Sequence, residues 1–379
     1  MHAALAVGRT HALSSWPAVD SSGWSEPFDA FPVEAPFTVK PDLVKLAPAD
    51  DWLRVDRDWS PMLAAKLAAR TGGADFNHEV ASPCDDRVAR RRLAALTRAI
   101  DSLAVTADGR RLGLQTMEDR IRFEAAGYCA TLADGRVRLQ AERADAAAVV
   151  AALGADRFAG GGGGRSSRAS SGSGASSGSS ASSGSSASCT VGNSLRLLGA
   201  LAMSLQEDLV LMEQDAHGAV RAALLQVSFP SAWDPAAKVG QDLFALHAPV
   251  ADNARLQAAA GRLGGALVAK GPYVRWVWTV TDDPRWRAWP PPQWHDRSPS
   301  RTGGPESGPL YFRLERQSTM PLGEGYCLFV IRVQVRPLEE VTAQPGRLAL
   351  LQASLRSMSD AMVRYKNLGA VRERLTGVA

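Results

Sequence analysis

The sequence has 379 residues, with 43 basic and 39 acidic side chains and a formal net charge of +4. This near balance gives no argument for nucleic-acid binding, and no stretch approaches the roughly 18 uninterrupted apolar residues of a membrane span. The cysteines are too far apart for metal-ligand or redox-motif spacing, so a reducing, cytoplasmic setting is expected.

The N-terminal residues 1–36 are rich in proline, serine and tryptophan and show no period, so they are predicted to form an irregular tail. Within this tail, residues 1–19 lack acidic side chains and include Arg9. That composition is compatible with an organelle-targeting segment. The alternative is a disordered N terminus.

Apolar spacing predicts the first regular elements. Helical periodicity covers residues 62–68 and, more clearly, 85–103, and residues 144–153 form an alanine-rich helix. Between the last two, residues 120–143 alternate in the manner of strands.

A low-complexity glycine and serine tract follows at residues 160–190. Such a tract cannot bury apolar surface, so it is predicted to be disordered. A long surface insertion costs little free energy, because loop entropy grows only logarithmically with length. We therefore expect residues 37–159 and 191–368 to be two parts of one domain, with a tail at 369–379.

The second half predicts helices and strands close together in sequence. The expected helices cover residues 194–212, 253–269 and 347–368, and the expected strands cover 222–229, 273–280, 310–319 and 326–335. Several neighbouring strands flanked by helices indicate an α+β fold with an antiparallel sheet, and we expect the helices on one side of it.

Most of what the sequence says about function depends on His247, which lies near the end of the proline-punctuated stretch 229–250. One interpretation is a structural imidazole, and the other is an axial metal or haem ligand or a general base. No second histidine or carboxylate stands at helical ligand spacing, so a zinc or non-haem iron triad is poorly supported. One imidazole is enough for haem, which would be non-covalent because Cys-x-x-Cys-His is absent.

Two strand motifs supply further candidates. Arg313 and Glu315 share a strand face, whereas Arg316 points the other way; this is either a salt-bridged surface or a guanidinium site for a carboxylate such as a haem propionate. In 273–280, Arg275 and Trp278 fall on opposite faces, and the tryptophan is either core or the wall of a flat cofactor.

Several familiar motifs are absent. There is no strand-to-helix Gly-x-Gly-x-x-Gly fingerprint, no phosphate-binding Gly-Lys-Ser/Thr loop and no Gly-x-Ser-x-Gly elbow. The chain is therefore not expected to bind its own nicotinamide or flavin. Residues 206–208 are interpreted as a polar helix end.

Taken in order, these elements resemble the haem-dependent oxidative N-demethylase alpha-subunit-like proteins, which include the large subunit of bacterial dimethylamine monooxygenase. The motifs that carry the resemblance over residues 37–368 are Trp52-Leu53 with Asp56, Gln206-Glu207-Asp208-Leu209, Phe229-Pro230-Ser231-x-Trp233, Lys238-x-Gly240, His247-x-Pro249-Val250, Arg275-x-x-Trp278, Arg313-x-Glu315-Arg316-Gln317, Phe329-x-Ile331-Arg332 and Tyr365-Lys366.

The resemblance implies a PAS-like α+β fold that holds haem b and oxidises a small secondary or methylated amine with O2, so that an N-methyl group leaves as formaldehyde. It implies electrons from NADPH through separate flavin and iron–sulfur subunits or a ferredoxin-like partner. It makes His247 the iron ligand, Arg275, Arg313 and Arg316 candidates for the propionates, Glu315 an orienting partner and Trp278 a wall of the site. No catalytic residue is assigned.

The sequence departs from the family pattern at three places. Val277 stands where the family tends to have asparagine, Ala251 replaces a proline, and residues 318–321 replace a leucine-rich turn. These departures bear on substrate identity. The alternative function is a PAS-like haem or small-molecule sensor without turnover, and the absence of a visible output module favours the enzyme. A scaffold that has lost haem is a third interpretation.

Overall fold

The computed structural model describes residues 30–47, 52–53, 55–56, 58–71, 79–134, 136–154, 184–231, 233–286 and 308–378, with 184–190 described by backbone alone. The predicted targeting segment 1–19 and residues 160–183 of the glycine and serine tract lie outside these ranges. The helices in them are α1 (Trp59–Thr71), α2 (Asp86–Ala104), α3 (Ala107–Arg111), α4 (Ala147–Gly154), α5 (Gly184–Ala202), α6 (Leu243–His247), α7 (Ala254–Ala269), α8 (Leu338–Thr342), α9 (Arg347–Ser357), α10 (Asp360–Tyr365) and α11 (Gly369–Thr376).

The strands in the described part of the chain form two antiparallel sheets. The strands are β1 (Val44–Lys45), β2 (Glu79–Ala81), β3 (Leu114–Thr116), β4 (Arg120–Phe123), β5 (Tyr128–Ala133), β6 (Arg136–Ala141), β7 (Asp208–Gln214), β8 (Val220–Gln226), β9 (Tyr273–Thr281), β10 (Tyr311–Gly323) and β11 (Tyr326–Pro337). The main sheet has the order β1-β9-β10-β11-β7-β8-β2, and the smaller sheet has the order β3-β4-β5-β6. The predicted α+β class is confirmed.

Strand register divides the main sheet into two faces. Gln317 lies between Arg275 and Ile331, and this trio defines the front face; Arg316 lies between Trp276 and Arg332, and this trio defines the back face. Side chains alternate between the faces of a strand, so the predicted separation of Arg275 from its tryptophan neighbours is confirmed.

Helices cover both faces of the main sheet. On the front, α7 packs Leu267 and Val268 against Val210 of β7. On the back, α2 and α5 pack, and Leu198 joins Leu211 in the largest apolar cluster. The expectation of helices on one side was wrong, because the strands of this sheet carry apolar residues on both faces.

The predicted helix 194–212 was wrong in its second half. Helix α5 ends at Ala202, and Asp208–Gln214 forms β7, which pairs with both β8 and β11. Leucines 201, 205 and 209 imitate helical spacing, but tertiary pairing determines the outcome here. At its other end, α5 begins at Gly184, so the last residues of the predicted disordered tract have helical backbone.

The predicted single helix 347–368 is two helices, α9 and α10, and α11 occupies most of the predicted tail 369–379. Extended backbone at Met358 ends α9, and Ser359 caps α10 by accepting a hydrogen bond from Met362 N at 3.0 Å. These helices pack Leu355 and Met362 against Trp278 on the back face. No helix in the described ranges is long and apolar enough to span a membrane.

Candidate functional site

The connection from β8 to α6 folds back over the front face. Trp233 and Val239 pack on the apolar cluster of that face. The chain then returns to β8 through Gly240, whose φ of 80° is left-handed and whose N–H donates to Ala222 O at 2.8 Å. A side chain at this position would be strained, which explains the glycine.

The short helix α6 carries His247 at its end. Asp242 begins the helix by accepting a hydrogen bond from Ala245 N at 2.8 Å. Leu243 and Leu246 pack on the front-face cluster. Asn253 Nδ2 donates to His247 O at 2.8 Å. The imidazole therefore projects from a backbone that is fixed at both ends.

The ring of His247 is half-buried and has a defined tautomer. Its Nδ1 lies 2.7 Å from Leu243 O, and a carbonyl oxygen only accepts, so Nδ1 carries the hydrogen. Nε2 is left with its lone pair. Burial lowers the pKa of His247 below 6.5, and the nearby cations Arg275 and Lys238 lower it further, while the bond to Leu243 opposes this. The imidazole is neutral at pH 7.

A hydrogen-bonded network runs across the front face beside α6. Arg275 Nε donates to Gln317 Oε1 at 2.8 Å, and Gln317 Nε2 donates to Glu315 Oε2 at 2.9 Å. Ser231 Oγ donates to Glu315 Oε1. Among the described residues, Arg275 Nη1 contacts Pro41 O at 3.5 Å and Nη2 has no partner. Arg275 can therefore bind an anion.

Arg313, on the same face, holds backbone instead. Its Nε donates to Ser231 Oγ at 3.0 Å, its Nη1 to Trp286 O at 2.7 Å and its Nη2 to Phe229 O at 3.1 Å. Burial lowers the pKa of Arg313, although an arginine remains charged at any ordinary pH. This guanidinium is used to fix the loop after β8.

The structure does not bring two of the predicted site residues to this face. Trp278 is on the back face, buried and stacked on Phe312 with ring centroids 5.7 Å apart. Arg316 is also on the back face, where its Nη1 donates to Trp52 O at 3.1 Å. His247, Arg275, Arg313 and Glu315 belong to the front-face group.

The family departures are also divided between the faces. Val277 pairs with Glu315 in register and is half-buried on the front face. Ser318 is fully buried on the back face, where its Oγ donates to Trp52 O, and Ala251 packs on the back-face cluster. Val277 is the departure that can line the front-face site.

A lysine at the edge of β9 lies close to the same network. Lys366 Nζ donates to Trp278 O at 2.7 Å and lies 5.7 Å from the ring centroids of Trp278 and Phe37. Burial lowers the pKa of Lys366 to about 8, and the charge of Glu315 opposes this shift. The resemblance motif included this residue without a role.

Sequence reasoning missed a buried charged pair beneath the loop. Asp208 accepts hydrogen bonds from Ser228 N and Phe229 N, each at 2.8 Å, and Lys66 Nζ lies 3.9 Å from its Oδ1. Both charged side chains are at most 1% exposed. The only signal in the sequence is a polar run, 206–208, between apolar runs.

A second buried group lies on the back face. Arg332 Nη2 forms an ion pair with Asp56 Oδ2. The other oxygen of this carboxylate, Oδ1, accepts a hydrogen bond from Gln206 Nε2 at 2.8 Å. Glu207 is 1% exposed, and neither carboxylate oxygen has a hydrogen-bond partner among the described residues. Burial raises the pKa of Glu207, and the charges of Arg332 and Lys66 oppose the shift.

The front-face donor set fits a haem. Among the described residues, no group of three or more His, Cys, Asp or Glu side chains is placed to hold a metal ion. One neutral imidazole with an open Nε2 is what a haem iron requires from its axial ligand. Arg275 adds a cationic donor for a carboxylate.

The sequence is similar to a known protein family. A family model described as haem-dependent oxidative N-demethylase, alpha subunit-like, matches residues 177–376, more than half of the chain. No curated protein matches. The matched segment contains α6 and both strands of the front-face network, β9 and β10.

Proposed function

The chain belongs to the haem-dependent oxidative N-demethylase, alpha subunit-like, family, and from this we propose that it is a haem b monooxygenase that removes an N-methyl group from a small secondary or methylated amine. The group leaves as formaldehyde. Electrons come from NADPH through a separate flavin and iron–sulfur or ferredoxin-like partner, which agrees with the absence of a nucleotide-binding fingerprint in the sequence.

The hydrogen bond from His247 Nδ1 to Leu243 O carries this proposal. A histidine that ligates a metal usually donates its other ring N–H to a carbonyl or carboxylate, which fixes the tautomer and the ring orientation. Here that second bond exists within one turn of α6. The lowered pKa of His247 keeps the lone pair available at neutral pH.

Arg275 is the proposed propionate ligand. Its Nε is held by Gln317, so its remaining N–H groups have a fixed direction. Arg313 has a supporting role, because its nitrogens already bind Ser231, Trp286 and Phe229. The proposed roles of Trp278 and Arg316 as cofactor contacts lose support, because both lie on the back face.

When bound, the haem supplies O2 activation. The chain's residues bind and orient: His247 holds the iron side, Arg275 holds a carboxylate, and Glu315 keeps Gln317 and Ser231 in place. Val277 contributes an apolar wall on the front face. A small amine needs an apolar pocket with few polar groups, and a valine in place of asparagine makes this wall less polar.

We also propose that residues 37–159 and 191–368 form one PAS-like domain, with the glycine and serine tract as an insertion. The largest apolar cluster supports this, because it joins Leu96 of α2 and Phe123 of β4 to Leu198 of α5 and Leu211 of β7.

The test uses purified full-length protein, reconstituted with haem, as wild type, His247→Ala and His217→Ala. His217 is exposed in the β7–β8 turn and serves as the matched control. We expect a Soret band in wild type and His217→Ala, and its loss or shift in His247→Ala. Wild type supplied with a methylated amine, a reductant and O2 should then release formaldehyde.

Failure of wild type to take up haem would remove the proposed chemistry. Haem uptake without amine-dependent formaldehyde would instead favour the second candidate, a haem or small-molecule sensor, which the same His247 geometry permits.

A further inference from the structure

Building on the proposed function, we propose that Asp208 is a positioning residue for the front-face site and that Lys66 is the cation that balances it. Neither residue touches the front-face network of Arg275, Gln317 and Glu315 directly. Both act through the first residues of the loop after β8.

Asp208 holds the start of this loop. Its two carboxylate oxygens accept from Ser228 N and Phe229 N, each at 2.8 Å. The carbonyl of Phe229 accepts from Arg313 Nη2 at 3.1 Å. The backbone of Phe229 is therefore fixed on its N–H side by an anion and on its C=O side by a cation.

This fixed backbone determines where Ser231 lies. Two residues after Phe229, Ser231 Oγ accepts from Arg313 Nε at 3.0 Å and donates to Glu315 Oε1. Glu315 in turn holds Gln317, which holds Arg275. Each link is a single hydrogen bond, so movement of Phe229 shifts the carboxylate that orients the proposed propionate ligand.

Lys66 makes the buried carboxylate tolerable. A buried carboxylate is costly unless it is paired and hydrogen-bonded. Lys66 Nζ lies 3.9 Å from Asp208 Oδ1, donates to Ala202 O at 3.0 Å and also donates to Glu207 O. It lies 5.8 Å from the ring centroid of Phe229.

The charged groups around Lys66 and Asp208 affect the pKa values of both residues. Burial lowers the pKa of Lys66 to about 8, Asp208 and Glu207 oppose the shift, and Arg332 adds to it. Lys66 is thus protonated at neutral pH. Burial raises the pKa of Asp208, which Lys66 and the two backbone N–H groups oppose, and Glu315 adds to the rise.

The other end of β7 offers a matched control. Asp215 Oδ1 also accepts two backbone hydrogen bonds, from His217 N and Ala219 N at 2.9 Å each. These contacts fix the exposed β7–β8 turn, roughly 20 Å along the strand from Asp208. Asp215→Asn makes the same substitution at an aspartate that caps a turn, without reaching the front-face network.

The experiment compares wild type, Asp208→Asn, the double variant Lys66→Met/Asp208→Asn, and Asp215→Asn. The double variant is needed because Asp208→Asn alone leaves a buried cation without its partner. Three properties are measured on the full chain: amide hydrogen exchange of residues 227–231 without haem, the dissociation constant for haem, and the urea midpoint.

We expect the amides of Ser228 and Phe229 to exchange at least tenfold faster in both Asp208 variants than in wild type. In Asp215→Asn their exchange rates should be unchanged. We expect the double variant to bind haem about tenfold more weakly while its urea midpoint stays close to that of wild type. The single variant Asp208→Glu, which keeps a carboxylate beside the wild-type Lys66, should recover part of the haem affinity.

The proposal would be overturned if the double variant had the same amide exchange rates and the same haem affinity as wild type. So would a loss of haem affinity no larger than the loss of folded protein, because that indicates a structural role alone. If wild type itself takes up no haem, the proposed function fails. The exchange of the Ser228 and Phe229 amides still decides whether Asp208 fixes the loop.

Discussion

Ser231 joins the loop after β8 to the centre of the front face by donating its hydroxyl hydrogen to Glu315 Oε1. The hydroxyl oxygen of Ser231 also accepts a hydrogen bond from Arg313 Nε at 3.0 Å. One small side chain thus lies between an anion and a cation, and it is the point where the loop and the sheet of the candidate site meet.

Ser231→Ala should therefore weaken both stability and haem binding. Ser231 makes two hydrogen bonds to charged groups, and each contributes about 1.5–3 kcal/mol, so we expect a loss of about 3 kcal/mol or more in unfolding free energy. Haem affinity should fall about tenfold, because Glu315 loses one of its two fixed partners. Urea unfolding and a haem titration measure the two effects.

Ser231→Thr is the control, since it keeps the hydroxyl. Recovery of haem affinity in the threonine variant is expected. Equal losses in the alanine and threonine variants would show that volume, and not the hydrogen bond, matters at this position.

Haem retention should persist at pH values below 6.5, the usual pKa of histidine. A protonated imidazole cannot ligate iron, and burial holds the pKa of His247 below 6.5. As pH falls through 6.5, the folded imidazole therefore stays neutral, and the haem should dissociate only at lower pH. The Soret band, followed from pH 8 to pH 4, measures this.

The haem-free protein gives the complementary result. Below pH 6.5 the unfolded chain binds a proton at His247 before the folded protein does, so this group lowers stability as pH falls through 6.5 and through the folded pKa. His247→Gln should remove that dependence. In the haem-bound protein, a Soret transition centred at or above pH 6.5 would contradict the prediction on haem retention.

Arg275 and Arg313 should respond differently to the same substitution. Arg313→Lys cannot reproduce the fork that holds Ser231, Trp286 and Phe229, so about 3 kcal/mol of stability should be lost. Arg275→Lys loses the one short bond to Gln317, which contributes about 1.5 kcal/mol. Its main effect should be weaker haem binding.

The two variants are compared by urea unfolding and by haem titration. The assignment of roles depends on the contrast between them. If Arg313→Lys keeps full stability and loses haem, then Arg313 is the propionate ligand and Arg275 is the support.

The sequence was sufficient to predict which side chains of one strand share a face, because side chains alternate along a strand. The placement of Arg313 and Glu315 on one face of β10 follows from a period of two, and the register confirms it. The same alternation already separates Trp278 from Arg275 and Arg316 from Glu315. Grouping all of these as cofactor contacts went beyond what the pattern supports.

Tertiary contacts were beyond the reach of the sequence. The contact from Lys66 to Asp208 joins α1 to β7, and the bond from Asp208 to Phe229 joins the two ends of the β7–β8 hairpin. Nothing local indicates either pairing. The polar run 206–208 looked like a helix end because the apolar residues before it keep helical spacing, while strand pairing with β11 decided its structure.

The stability of Glu207→Gln, measured relative to that of wild type, should increase as pH rises. Both Glu207 oxygens are buried without a hydrogen-bond partner among the described residues, and Arg332 Nη1, 4.0 Å away, belongs to a guanidinium already paired with Asp56. Burial raises the pKa of Glu207 above 4.5. The unfolded chain therefore ionises first.

Stability must then fall, for this group, as pH rises from 4.5 through the raised folded pKa, because the unfolded state binds fewer protons there. Glutamine has nearly the same shape and no charge to bury, so its advantage over glutamate should grow between pH 4 and pH 7. Urea unfolding of both proteins at the two pH values measures the difference.

Glu213→Gln, which removes a carboxylate 2.7 Å from Arg92 Nε, should instead lose stability at pH 7. If raising the pH favoured wild type over Glu207→Gln, Glu207 would be an ionised partner of Arg332, and the back-face group would be a fully charged cluster.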